Sequence, residues 1–143
     1  MGTTNISPSL RRLVHDRARG LCEYCLTPET AQFTPYEVDH IIALKHEGAT
    51  TLENLAFCCA RCNKHKGSDI ASIDQRTGEI VSLFNPRRDN WAEHFQVDDA
   101  QIVPLTAIAH VTVQLLQLNH PNRMAEREEL IAGGLYQVPT VSQ

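Results

Sequence analysis

No apolar run in this chain approaches the roughly 18 residues that a membrane-crossing helix needs, so no membrane span is expected. The opening segment, Met1-Gly2-Thr3-Thr4-Asn5-Ile6-Ser7, has no positive stretch leading into an apolar one, and position six lacks the Ser or Thr of a myristoylation signal. Neither a secretory leader nor a lipid anchor is expected, and the reading is a cytoplasmic protein. Positive charge is not in excess either. Thirteen Lys and Arg stand against 17 Asp and Glu, a net charge of −4, whereas a protein that binds nucleic acid over its whole surface tends to be basic. The deficit is uneven: residues 1–70 carry eight basic against eight acidic side chains, and residues 71–143 carry five against nine. Aromatic residues are few, and repeats and low-complexity tracts are missing. At 143 residues the chain has the length for one domain with a modest core, not for two joined by a linker.

Cysteines stand out against this plain background. Cys22-Glu23-Tyr24-Cys25 and Cys59-Ala60-Arg61-Cys62 are two CxxC pairs, and each short knuckle can present both of its sulfurs to one ion. In a reducing compartment five cysteines read as metal ligands rather than disulfides, so Cys22, Cys25, Cys59 and Cys62 are predicted to hold a structural zinc ion. Cys58, the odd one, is expected to be a buried strand residue. A closed four-sulfur site staples a fold and performs no catalysis, so any chemistry must come from the residues it holds in place.

The elements between and around the knuckles can be placed coarsely. Ser7-Pro8 offers an N-cap and a first-turn proline, Leu10, Leu13 and Val14 supply a stripe, and Gly20 can take a left-handed terminus, which predicts a helix from Pro8 to Arg19. Tyr36 to Ile42 alternates like a strand, and Leu55 to Cys59 reads as its returning partner. Gly48 marks a turn between them. A short helix from Arg61 to about Gly67 then begins inside the second knuckle. Residues 73–84, around Thr77-Gly78, and residues 91–103, around Asp98-Asp99, are predicted hairpins. Helices are predicted from Thr106 to Asn119 and from Pro121 to Gly133-Gly134, with a loose tail after Tyr136.

Taken in order, Cys22/Cys25, Asp39-His40-Ile41, Asn54-Leu55, Cys59/Cys62, Asn63 and Lys66-Gly67 resemble the pattern of HNH endonucleases over residues 11–67. Leu83-Phe84-Asn85-Pro86-Arg87, with Trp91 and His94-Phe95, looks like the extension of one bacterial subgroup. The resemblance implies an α+β fold: a ββα-metal core stapled by the four-cysteine zinc, with an N-terminal helix and C-terminal hairpins and helices. It implies one nuclease domain over residues 1–143, with its core at 8–70 and an elaboration at 71–136.

The roles it implies have physical reasons. His40 would be the general base, because an imidazole titrates near neutral pH and can take a proton from the attacking water. Asp39 and Asn63 would hold a catalytic Mg2+ or Mn2+ through oxygen, and Asn54 would fix the His40 segment by hydrogen bonds to backbone. Adjacent strand residues face opposite ways, so the pair Asp39-His40 requires the strand to end or bulge there, and local irregularity is predicted. Arg19, Arg61, Lys64, Lys66 and Arg87 are the expected nucleic-acid contacts, Lys66 foremost because it lies three residues from Asn63 on a helix. His65 is a phosphate contact or a surface residue, and the other histidines are structural or exposed. The reading is a DNA endonuclease. A zinc-dependent nucleic-acid-binding module without catalysis, and an RNA-cleaving defence component, are the alternatives, and targeting by a protein partner would supply specificity.

Overall fold

The computed structural model of the protein describes residues 6–140; the readings made on Met1 to Asn5, and the tail from Val141, lie outside it. Helix α1 runs over Pro8–Arg17, with the Ser7 hydroxyl accepting from the Leu10 amide at 3.1 Å. It stops two residues short of Arg19 because Arg19 and Gly20 turn to positive φ, 57° and 71°, and lead the chain into the first knuckle. Val14 is the residue by which α1 enters the core.

Strands β1 (Glu37–His40) and β2 (Leu55–Cys58) pair antiparallel, and α2 (Ala60–Lys66) follows at once, giving the expected ββα order. All four β2 residues are buried, Cys58 included. The predicted irregularity takes one of its two forms. There is no bulge, since Asp39 pairs with Ala56 and His40 with Leu55 in regular register, but the strand ends at His40. Two single turns of 3₁₀ helix, Leu44–His46 and Leu52–Asn54, occupy the connection to β2.

Beyond α2, β3 (Ala71–Ile73) and β4 (Ile80–Ser82) form the first predicted hairpin, turning through Gly78 at φ 77°. The second hairpin, β5 (Phe95–Asp98) with β6 (Gln101–Pro104), is shorter than predicted. Residues Trp91–His94 form a helical turn, α3, instead of strand, because the Asn90 side chain accepts from the Ala92 amide at 3.2 Å. Helices α4 (Ala107–Leu116, capped by Thr106) and α5 (Pro121–Ala132) complete the chain. The fold is α+β, with three two-stranded sheets among the described residues.

Both halves bury side chains in one cluster, in which Val14, Leu55 and Phe57 join Phe84, Trp91, Phe95, Ile102 and Leu116. Trp91 donates its indole N–H to the Tyr24 carbonyl at 2.9 Å, tying α3 to the first knuckle. Helix α5 docks through charged residues: the guanidinium of Arg127, 2% exposed, donates to the carbonyls of Ala100 at 2.6 Å and Leu118 at 2.8 Å. The Tyr136 hydroxyl donates to the Cys25 carbonyl at 2.6 Å, so the segment after α5 also returns to the knuckle.

Candidate functional site

The sulfurs of Cys22, Cys25, Cys59 and Cys62 all lie within 4.8 Å of one another and are buried. A tetrahedron with metal–sulfur bonds of about 2.3 Å has edges of about 3.8 Å, and Cys25 Sγ lies 3.8 Å from Cys59 Sγ. The four thiols therefore fit zinc in number, chemistry and spacing. Their acidity is shared unequally: the three neighbouring sulfurs hold Cys25 well below the usual thiol range, while burial pushes Cys22 and Cys62 up. Cys58 is not one of the four; buried beside them, its thiol donates to the Cys59 carbonyl at 3.5 Å.

A residue that the sequence did not single out closes this centre. Arg123 of α5, 7% exposed, donates to Cys62 Sγ at 3.1 Å, approaches Cys59 Sγ at 3.8 Å and donates to the Leu116 carbonyl at 2.9 Å. Burial works against its charge, but the sulfurs of Cys62 and Cys25 outweigh burial and hold the guanidinium above its ordinary value. Four thiolates around a divalent ion carry two negative charges, and a buried cation at hydrogen-bond distance offsets one of them.

An open cleft of about 400 Å³ lies between the end of β1 and α2, bordered by Asp39, His40 and Asn63 together with Glu37, Lys45 and Ser68. The structure thus brings three of the four predicted catalytic residues to one cavity. Its chemistry is not symmetrical. His40 is half-buried, and its Nε2 is hydrogen-bonded to Thr50 Oγ1 at 2.9 Å. Asp39 is 7% exposed, and its Oδ2 faces Lys66 Nζ at 3.2 Å and the Tyr24 hydroxyl at 3.4 Å. Burial pushes the Asp39 carboxyl up, against the opposing pull of Lys66 and Tyr24. Two oxygen-bearing side chains suit a hard cation such as Mg2+, but the carboxylate already holds an ammonium on one of its oxygens.

Asn54, the fourth predicted residue, lies outside the cleft and clamps its wall. Its side chain accepts from the Ile42 amide and donates to the Ile42 carbonyl, both at 2.9 Å, and donates to the Ala49 carbonyl at 2.8 Å, while its own carbonyl accepts from the Ile41 amide at 2.9 Å. The chain leaving His40 is thereby held on both of its polar edges. Gly48 makes this possible: a Cβ there would stand 1.7 Å from the Ile42 carbonyl oxygen and 2.9 Å from Asn54 Nδ2. The sequence shows Gly48 only as a turn; the close approach of two backbones is what demands a glycine.

The expected nucleic-acid contacts divide. Lys66 is not one of them. It is 2% exposed, paired with Asp39, and donates to the Ile41 carbonyl at 3.1 Å, because the face it shares with Asn63 turns toward β1 and not toward solvent. Arg87 is also engaged inward, pairing with Glu23 of the first knuckle at 14% side-chain exposure. Arg19, Arg61 and Lys64 remain exposed, with Arg61 paired to Glu126. Burial, together with the charges of Arg123, Lys64 and His120, pushes the His65 imidazole down. His94 joins the aromatic cluster, with its ring 5.8 Å from that of Phe84.

Among the described residues no helix is long and apolar enough to cross a membrane. Comparison with curated proteins and with solved structures gave no match in either case. Comparison with protein families gave one, to the family described as HNH endonuclease, over residues 22–69, a span that takes in both knuckles, the β1–β2 hairpin and α2. It is over residues 22–69 that this chain is similar to the HNH endonuclease family.

Proposed function

We propose that the protein is a metal-dependent endonuclease that hydrolyses phosphodiester bonds of DNA, working in the cytoplasm as one domain with its core at residues 8–70. The observation that carries this reading is the single cleft shared by Asp39, His40 and Asn63. In the tautomer that donates Nε2–H to Thr50 Oγ1, the lone pair lies on Nδ1, which can take a proton from a water aligned behind the scissile phosphorus. Asn54 and Gly48 fix the backbone that aims the ring. Asp39 and Asn63 would hold Mg2+ or Mn2+, which when bound supplies charge neutralisation for the phosphate and the departing oxygen. The four cysteines would hold zinc as scaffold, and the exposed Arg19, Arg61 and Lys64 would meet backbone phosphates.

The test is cleavage of plasmid DNA and of single-stranded RNA by zinc-loaded protein, with Mg2+, with Mn2+ or with no added ion, beside His40→Ala. Plasmid cleavage should need the added ion and fall by about 10²–10⁴ in His40→Ala. Equal rates for wild type and variant would sink the catalytic reading. Cleavage of RNA alone would move the activity to the RNA-directed alternative, and metal-independent binding without cleavage would make the protein a zinc-dependent binding module.

A further inference from the structure

A second cavity, of about 330 Å³, lies on the other side of α2, between that helix and the turn from α4 into α5. Arg61, Lys64 and His65 line it from α2, and His120, Asn122 and Arg123 line it from the start of α5. None of the described residues lining it is acidic, in a chain whose net charge is −4 and whose second half is the acidic one. Arg61 is paired with Glu126, Arg123 is committed to Cys62 Sγ and the Leu116 carbonyl, and Lys64 forms no ion pair among the described residues. Lys64, His120 and Asn122 are exposed, so their donors face open space. Side chains that donate hydrogen bonds and carry positive charge or none are the set that phosphate oxygens select.

The position of the cavity gives it a purpose. Asn63 and Gly67 border the His40 cleft, whereas Arg61, Lys64 and His65 border the second one. At 100° per residue, Arg61 and His65 stand about 160° from Asn63 around the helix, so the two cavities are separated by its width, about 10 Å. That distance is comparable with the width of a duplex groove, about 6 Å for the minor and about 12 Å for the major. We infer that this cavity is a second phosphodiester-backbone subsite, built jointly by α2 and α5, which receives the strand that is not being cut, so that the enzyme grips double-stranded nucleic acid across α2. This rests on the nuclease reading above and gives the acidic C-terminal elaboration a share in substrate binding.

The experiment measures binding of a labelled duplex, and of a single strand of equal length, between 50 and 200 mM salt. It uses zinc-loaded protein carrying His40→Ala so that no cleavage intervenes. Lys64→Ala and His120→Asn are added singly and together. Asparagine at 120 preserves an acceptor for the Asn122 amide, which the histidine caps at 3.1 Å. Arg76→Ala, on the β3–β4 turn and paired with Asp74, is the control. Each cavity variant should weaken duplex binding several-fold, and Lys64→Ala should also reduce the salt slope by about one, while Arg76→Ala changes neither. Loss of affinity no greater than that of the control overturns the subsite, and equal loss on the single strand overturns the grip across α2. In either case plasmid cleavage by otherwise wild-type protein would leave the nuclease reading standing. Absence of any nucleic-acid binding by the parent protein would remove both.

Discussion

Substituting Lys66 with methionine removes the cation from a buried pair and leaves the Asp39 carboxylate, 7% exposed, without its counter-charge. At the observed 3.2 Å separation, and with an effective dielectric constant of about 20, the Coulomb attraction is about 5 kcal/mol. Desolvation of both groups offsets much of that in the intact pair, but loss of one partner exposes the penalty of the other, about 3–5 kcal/mol. The Ile41 carbonyl also loses a donor at 3.1 Å. Against a total stability of about 5–15 kcal/mol for a domain, Lys66→Met should bring the protein close to unfolding. Lys66→Met/Asp39→Asn should recover most of the loss, since no charge is then stranded. Urea unfolding of the four proteins of this cycle in zinc-replete buffer, followed by circular dichroism, gives the coupling directly. The pH dependence has a defined sign. Burial already raises the Asp39 carboxyl, so its neutral form favours the fold and that contribution fades as pH rises through the folded pKa. Lys66→Met removes the opposing pull, and its deficit relative to wild type should shrink as pH falls. A single-variant loss below about 1 kcal/mol, or additivity of the two substitutions, would refute the reasoning.

Gly48→Ala should destabilise by about 2 kcal/mol or more and abolish plasmid cleavage, because its methyl group would overlap the Ile42 carbonyl; unchanged unfolding and cleavage curves would contradict the steric account. Arg123→Met should speed chelator-driven zinc release, and release from both proteins should accelerate on acidification, since burial favours the neutral thiols of Cys22 and Cys62 and protons compete with metal; equal release rates would deny the guanidinium a part in holding the ion.

The parts of the molecule written in short-range chemistry are legible in the sequence itself. Ser7-Pro8 announced α1, Thr77-Gly78 a hairpin, and the CxxC spacing a four-sulfur centre, because each depends on residues a few positions apart. Lys66 shows where such reading stops. Its spacing from Asn63 placed both on one side of α2, but periodicity says nothing about depth, and that side lies against β1. Nothing in the sequence singles out Arg123 and Arg127, since their partners, the knuckle sulfurs and the carbonyls of Ala100, Leu116 and Leu118, come from other segments. Asn90 turned an expected strand into α3 by a cap that competes with strand pairing.

The guanidinium that covers the knuckle arrives late in the life of the chain. Cys62 and Arg123 are 61 residues apart, so at synthesis rates of about 5–20 residues per second the four sulfurs are all present about 3–12 s before their buried counter-charge. A knuckle that loads zinc as it emerges must therefore hold the ion unaided through that interval. Any event that stalls or truncates synthesis in α4 would leave a zinc-loaded core negatively charged, without the helix that neutralises it.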